Sequence, residues 1–263
     1  MKNKIIKKIT LASISLILFT NVAFAKENSS SKASKLMVIA GKQRMLSQRI
    51  SKDYLYAGRH VAKAKATKEL RASIAELNRS HKLLVESIND PDIQNLLSFV
   101  KMSGEDFDAT AKRPFTLDNA QLVIDLSESM LEGSQYVVDS LKKKVRVKES
   151  AIVGMSGRQR MLAQRIAKYY IAYQAGIKDK NTVDQMKTAV KEFAYAHKKL
   201  MKNKANTPEI NRKLHEIDRL WKIVYRFYMN IEKGGLPLIV FNTTNDITKK
   251  MDKVTGLYVE LYK

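Results

Sequence analysis

Residues 41–50 read GKQRMLSQRI, and residues 157–166 read GRQRMLAQRI. Aligning 40–52 with 156–168 gives nine identities in 13 positions: Gly, Gln, Arg, Met, Leu, Gln, Arg, Ile and Lys. The register then holds at an offset of 116 residues. Tyr54 meets Tyr170, and His81 in SHKLL meets His197 in AHKKL. Asp90-Pro91 and Thr207-Pro208 fall one residue off that spacing. A self-similarity of this length means a chain built twice, here as units spanning roughly 31–148 and 149–263.

Both units read as helical. The whole chain holds four prolines and ten glycines, and its apolar residues recur at three- and four-residue steps. Asp90-Pro91 and Thr207-Pro208 look like an N-cap followed by proline in the first turn, where the missing N–H costs nothing. Thr182 to Gln185 fits a capping box. Lys112 to Pro114 and Gly234 to Pro237 read as loops before a last helix. The expected helices are about 32–64, 67–88, 91–111 and 117–146, then 148–177, 182–203, 208–232 and 243–262. The fold class is therefore all-α, with two tandem antiparallel four-helix bundles. No proline occurs from Leu117 to Ala175, which allows one long continuous helix to join the units.

On a helical projection the repeated phrase has two faces. One collects Ile39, Gln43, Leu46, Ile50, Tyr54 and Ala57, matched by Met155, Gln159, Leu162, Ile166, Tyr170 and Tyr173. It is mostly apolar and should face the core of its own bundle. The opposite face collects Gly41, Arg44, Met45, Gln48, Ser51 and Leu55, matched by Gly157, Arg160, Met161, Gln164, Ala167 and Ile171. A mid-helix glycine costs about 1 kcal/mol relative to alanine, and close approach of a neighbour is a reason to keep one. This face reads as a helix–helix contact with an arginine in its middle. The plainer reading is that Arg44 and Arg160 each pair with a carboxylate or reach out to water. If both arginines meet, guanidiniums ~6 Å apart repel by ~3 kcal/mol at an effective dielectric of about 20. An anion between them would reverse that sign. Since both residues lie off the core face, their replacement is expected to leave each bundle standing.

The first 25 residues read as a cleavable secretory leader. Lys2, Lys4, Lys7 and Lys8 precede an apolar run from Ile9 to Phe19, and Ala23-Phe24-Ala25 is a small-x-small cleavage site. The run is short for a membrane span, so the expected product is an exported, periplasmic protein starting at Lys26. Without the leader, 44 Lys and Arg face 26 Asp and Glu, a net charge of +18. Such a surface favours anions, although export argues against nucleic acid as a partner. With no cysteine, disulfides and thiolate chemistry are excluded. The four histidines, His60, His81, His197 and His215, form no HExxH pair, and neither a phosphate loop nor a nucleophile elbow occurs. No catalytic residue, metal or cofactor is expected. His81, His197 and Trp221 read as packing residues.

The stretches AGKQRMLSQRISKDYLYAG and SGRQRMLAQRIAKYYIAYQAG resemble the opening of the PilJ-type domain, the N-terminal domain of type IV pili methyl-accepting chemotaxis transducers. That domain is related to the periplasmic sensor domain of NarX-type nitrate/nitrite sensor kinases, and its opening Gly-x-x-Arg-Met signature is often called the P-box. The wording here is closer to the pilus-transducer type. The resemblance implies a periplasmic four-helix bundle. It also implies that Arg44 and Arg160 bind an anion at a helix interface, within one chain or across a homodimer. Gly41 and Gly157 would then allow close approach, and Gln48 and Gln164 would lie on the same face. Family sensors carry membrane helices and cytoplasmic modules, which are not read here, so a signal would need a membrane partner.

Two functions follow. One is a ligand-binding protein for a small oxyanion such as nitrate or nitrite, presenting it to a membrane receptor or sensor protein. The other is an adaptor that docks on a chemoreceptor, sensor kinase or pilus component and needs no small ligand.

Overall fold

The computed structural model describes Lys32, residues 35–144 and residues 148–261. Among them every regular element is helical. The first half contains α1 (residues 35–58), α2 (Lys63–Ser87), α3 (Pro91–Ala111) and α4 (Leu117–Lys144). The second contains α5 (Lys148–Ala175), α6 (Lys180–Met201), α7 (Pro208–Met229) and α8 (Pro237–Leu261), with one 3-10 turn at Ile231–Lys233.

Several boundaries follow from local chemistry. The carboxylate of Asp90 accepts from the N–H of Ile93 at 3.0 Å, and the hydroxyl of Thr207 accepts from that of Ile210 at 3.2 Å. Each cap is followed by proline in the first turn. The capping box expected at Thr182 is displaced. Asp179 is the N-cap, accepting from the N–H and the hydroxyl of Thr182 at 2.9 and 2.8 Å. α1 ends six residues early, because His60 and Ala62 take left-handed backbone (φ 57° and 49°) that no helix continues through. α8 begins at Pro237 rather than 243, again with proline in the first turn.

α4 and α5 do not form one helix. Glu128 meets Arg165 and Lys168, whereas 37 residues of continuous helix would hold Glu128 and Arg165 about 55 Å apart. The two helices therefore lie side by side and antiparallel.

α1 and α4 are antiparallel, tied by Arg44 to Gln135 near one end and Gln48 to the Ser127 carbonyl further along. α5 and α8 repeat this with Arg160 to Asp252 and Gln164 to Thr248. Matching ion pairs fasten the flanking helices: Lys42 to Glu76 on α2, and Arg158 to Glu192 on α6. Across the halves, Lys52 of α1 reaches Asn245 of α8, and Lys168 of α5 reaches Glu128 of α4. So α1, α4, α5 and α8 form a shared centre, flanked by α2 and α3 on one side and α6 and α7 on the other. α1 and α5 are consequently buried on both faces. Residues 43–48, 50–56, 159–164 and 166–172 are all buried, which explains why neither helix shows a solvent stripe. The leader expected over residues 1–25 lies outside the described residues. No helix among the described residues is long and apolar enough to cross a membrane.

Candidate functional site

The repeated phrase brings Arg44 and Arg160 to the centre of the molecule. They are 3% and 2% exposed. Each guanidinium folds back over the glycine one turn earlier on its own helix. A Cβ on Gly41 would sit 3.3 Å from Nη2 of Arg44, and one on Gly157 would sit 3.5 Å from Nη2 of Arg160. The glycines thus make room for the arginines of their own helices. Among the described residues no atom of another helix comes within 4 Å of either Cβ position, so the close approach of a neighbouring helix expected there is not seen. Gly41, Arg44, Gly157 and Arg160 line one small space, closed by Met37, Val38, Val138, Val153, Gly154 and Thr255. Its volume is about 10 Å³, the scale of one water molecule.

The two guanidiniums have equivalent partners of unequal charge. Arg44 Nη1 donates to Oε1 of Gln135 at 2.5 Å, and Gln135 passes its amide N–H to Asp139 at 2.8 Å. Arg160 Nη1 donates directly to the carboxylate of Asp252, whose side chain is 59% exposed. Pairing with a carboxylate therefore holds for Arg160 and fails for Arg44, which meets a neutral amide. Burial pushes the Arg44 guanidinium down to about 10, and the positive charges of Arg158 and Arg160 push the same way against Asp139. The Nε atoms of both arginines are buried without a hydrogen-bond partner among the described residues. A groove of about 450 Å³ between α4, α5 and α6 leads to Arg44, with Lys142 and Arg158 along it. The positive charge and the two unpartnered Nε–H groups are the kind of surroundings that attract an anion, while the space itself has the volume of one water.

Gln48 and Gln164 do not join this space. The Gln48 amide donates to the Ser127 carbonyl at 2.9 Å, and that of Gln164 to the Thr248 hydroxyl at 2.6 Å. They link helices one turn further on. The expectation that replacing either arginine leaves the bundle untouched also needs correction. Both are interior side chains of the shared centre, and truncation would open a hole there.

One layer was missed by sequence reasoning, although its lysines are among the nine identities. Lys52 and Lys168 are wholly buried. Lys52 Nζ lies 2.9 Å from Asp53 and 2.7 Å from Oδ1 of Asn245. Lys168 Nζ donates to the Ser127 hydroxyl at 2.9 Å and to Glu128 at 2.5 Å. Burial lowers both ammonium groups, Lys168 to about 8, and raises Asp53 to about 6. Each lysine has one carboxylate, supplied by its own helix in one half and by the opposite half in the other.

Among comparisons with known proteins, the family model described as Type IV pili methyl-accepting chemotaxis transducer N-term, PilJ, matches residues 28–99 and 145–231. Together these segments make up more than half of the chain, and each includes one copy of the repeated phrase. No curated protein and no solved structure matches the chain.

Proposed function

Because the chain belongs to the PilJ family of chemotaxis-transducer N-terminal domains, we propose that it is a periplasmic sensor module whose halves jointly bind one small oxyanion, such as nitrate or nitrite, between Arg44 and Arg160. In this reading, 31–148 and 149–263 are tandem copies of the domain. They make within one chain the contact that the NarX resemblance assigns to a dimer interface. The observation that carries it is the convergence of both arginines on a single space, where the charge of Arg160 already weighs on Arg44.

An anion entering from the Lys142–Arg158 groove would take the place of Asp252 on Arg160, leaving that half-exposed carboxylate to water. Each charge-assisted hydrogen bond gained is worth about 1.5–3 kcal/mol. A water-sized space cannot take nitrate unless α1 and α5 part or the guanidiniums turn. Binding therefore favours one spacing of the central helices over another, which is what a sensor needs. A membrane receptor or transducer would read that spacing.

The second reading is the adaptor, docking on a chemoreceptor, sensor kinase or pilus component. The ion pair of Arg160 with Asp252 favours it, because half of the charge is already neutralised. Thermal-shift measurements with nitrate, nitrite, sulfate, phosphate and small carboxylates separate the two. The sensor reading expects a rise in Tm with one planar or tetrahedral anion, lost in Arg44→Gln and Arg160→Gln. No rise with any of them leaves the adaptor. Export after Ala25 is checked by intact mass of periplasmic protein, expected to start at Lys26.

A further inference from the structure

The halves fill their interiors differently. α3 buries Ile93, Leu97, Val100, Phe107 and Ala111, and α7 buries Ile210, Leu214, Ile217, Val224 and Tyr228 at an offset of 117. In that register Gly104 stands where the second half has Trp221. On the neighbouring helices, at an offset of 116, Leu77 stands where the second half has Phe193. Trp221 and Phe193 stack at 4.2 Å between ring centroids, with His197 stacked beyond Phe193 at 5.8 Å. With Gly104 and Leu77 in their places, the first half holds a cavity of about 290 Å³.

The cavity has two kinds of wall. Leu77, Val100 and Met130 are apolar and buried. Gln43, which also lines the cavity, is fully buried, and neither atom of its amide has a hydrogen-bond partner among the described residues. Its counterpart Gln159 donates to the Phe193 carbonyl at 3.0 Å. Both ring nitrogens of His81 also lack a partner among the described residues. Burial, and then Lys101, lower this imidazole against Glu105, which favours the neutral form with one donor and one acceptor. Buried polar atoms are normally satisfied. A void with apolar walls and a polar end asks for an occupant that has both.

We propose that the first half carries a second ligand site, between α2 and α3, for a flat one- or two-ring heteroaromatic molecule with a hydrogen-bonding edge. Its ring fills the volume that the indole of Trp221 fills in the second half, and its edge pairs with Gln43 and His81. Exposed Lys82, Lys101 and Glu105 frame the mouth. This site is separate from the arginine pair and stands whether or not that pair binds an anion.

The test is calorimetric titration of the full chain with indole and with benzimidazole. The expected result is saturable binding of at least one probe at one site. It should weaken at least tenfold in Gly104→Trp, which supplies the missing indole, and in Leu77→Phe, which fills the space from the opposite wall. Helical circular dichroism shows which variants fold, and either one suffices. Gln43→Leu should weaken binding about tenfold by removing the polar edge. Absence of saturable binding to the wild-type chain with both probes overturns the proposal. So does undiminished binding in a folded variant whose cavity is filled.

Discussion

At the level of Trp221 the second half stacks an indole on Phe193, whereas at the matching level of the first half Gly104 presents no side chain at all. The surroundings are otherwise parallel. The same proline-led caps start α3 and α7, the same kind of ion pair joins α1 to α2 and α5 to α6, and the same glutamine sits at the base of each core. The difference teaches that the helix plan is held by its caps and by the shared centre, and the interior of each outer bundle can be filled or left open. A second difference concerns charge. Gln135 faces Arg44 where Asp252 faces Arg160, and Asn245 crosses to Lys52 where Glu128 crosses to Lys168. Equivalent positions thus have unequal electrostatic weight, and the halves should respond unequally to equivalent changes.

The largest expected contrast is in the cores. Trp221→Ala removes a 7%-exposed indole and should cost about 3–5 kcal/mol in urea unfolding. An equal stability for this variant and wild type would show that the second core is not built on the stack. Next is the lysine layer. Glu128→Ala deprives wholly buried Lys168 of its carboxylate. The expected loss is about 3 kcal/mol, the low end for a broken buried pair because Glu128 keeps 29% of its side chain exposed. Asn245→Ala should cost only about 1 kcal/mol, since Lys52 keeps Asp53. A reversal of that order would mean that Asp53 does not serve Lys52.

The histidines sharpen the comparison through pH. Burial holds His197 down to about 4, while the unfolded imidazole titrates near 6.5. As pH falls through about 6.5 the unfolded chain takes up a proton first, so this residue removes stability between pH 6.5 and 4. The loss is complete below the folded value and amounts to about 3 kcal/mol. His197→Phe should flatten that limb of the stability–pH curve. An unchanged slope would place the acid sensitivity elsewhere. The smallest effect is expected at the open core. Gly104→Ala adds a Cβ that meets only Met130, at 3.6 Å, and should gain up to about 1 kcal/mol from helix propensity. A loss there would mean that the space around Gly104 is already filled.

Much of the fold was legible. The repeat, the three-and-four apolar spacing and the proline caps determine the number of helices, and the two-faced phrase marks α1 and α5 as helices with a second contact face, though not how deeply that face is buried. The reversal between α4 and α5 was not legible, because neither proline nor glycine marks it and the ion pairs that show it span 37 and 40 residues. The end of α1 was hidden for a similar reason: His60 and Ala62 take a backbone that their types rarely signal. Of the site, Arg44, Arg160, Gly41 and Gly157 could be read from the doubled phrase, since identity and helical phase put them on one face. Gln48 and Gln164 share that face, but their amides are taken up by α4 and α8. Gln135 and Asp252 could not be found in advance, because they differ in type, although they keep the 117-residue offset of α3 and α7. The cavity at Gly104 was equally invisible, since it consists of a side chain that is missing.

The central claim is that both halves contribute to one anion site. Calorimetric titration of the full chain with nitrate tests it through stoichiometry. The account predicts one nitrate per chain, with binding lost in Arg44→Gln and equally in Arg160→Gln. Two nitrates per chain, or binding that survives when either arginine is replaced, would contradict it.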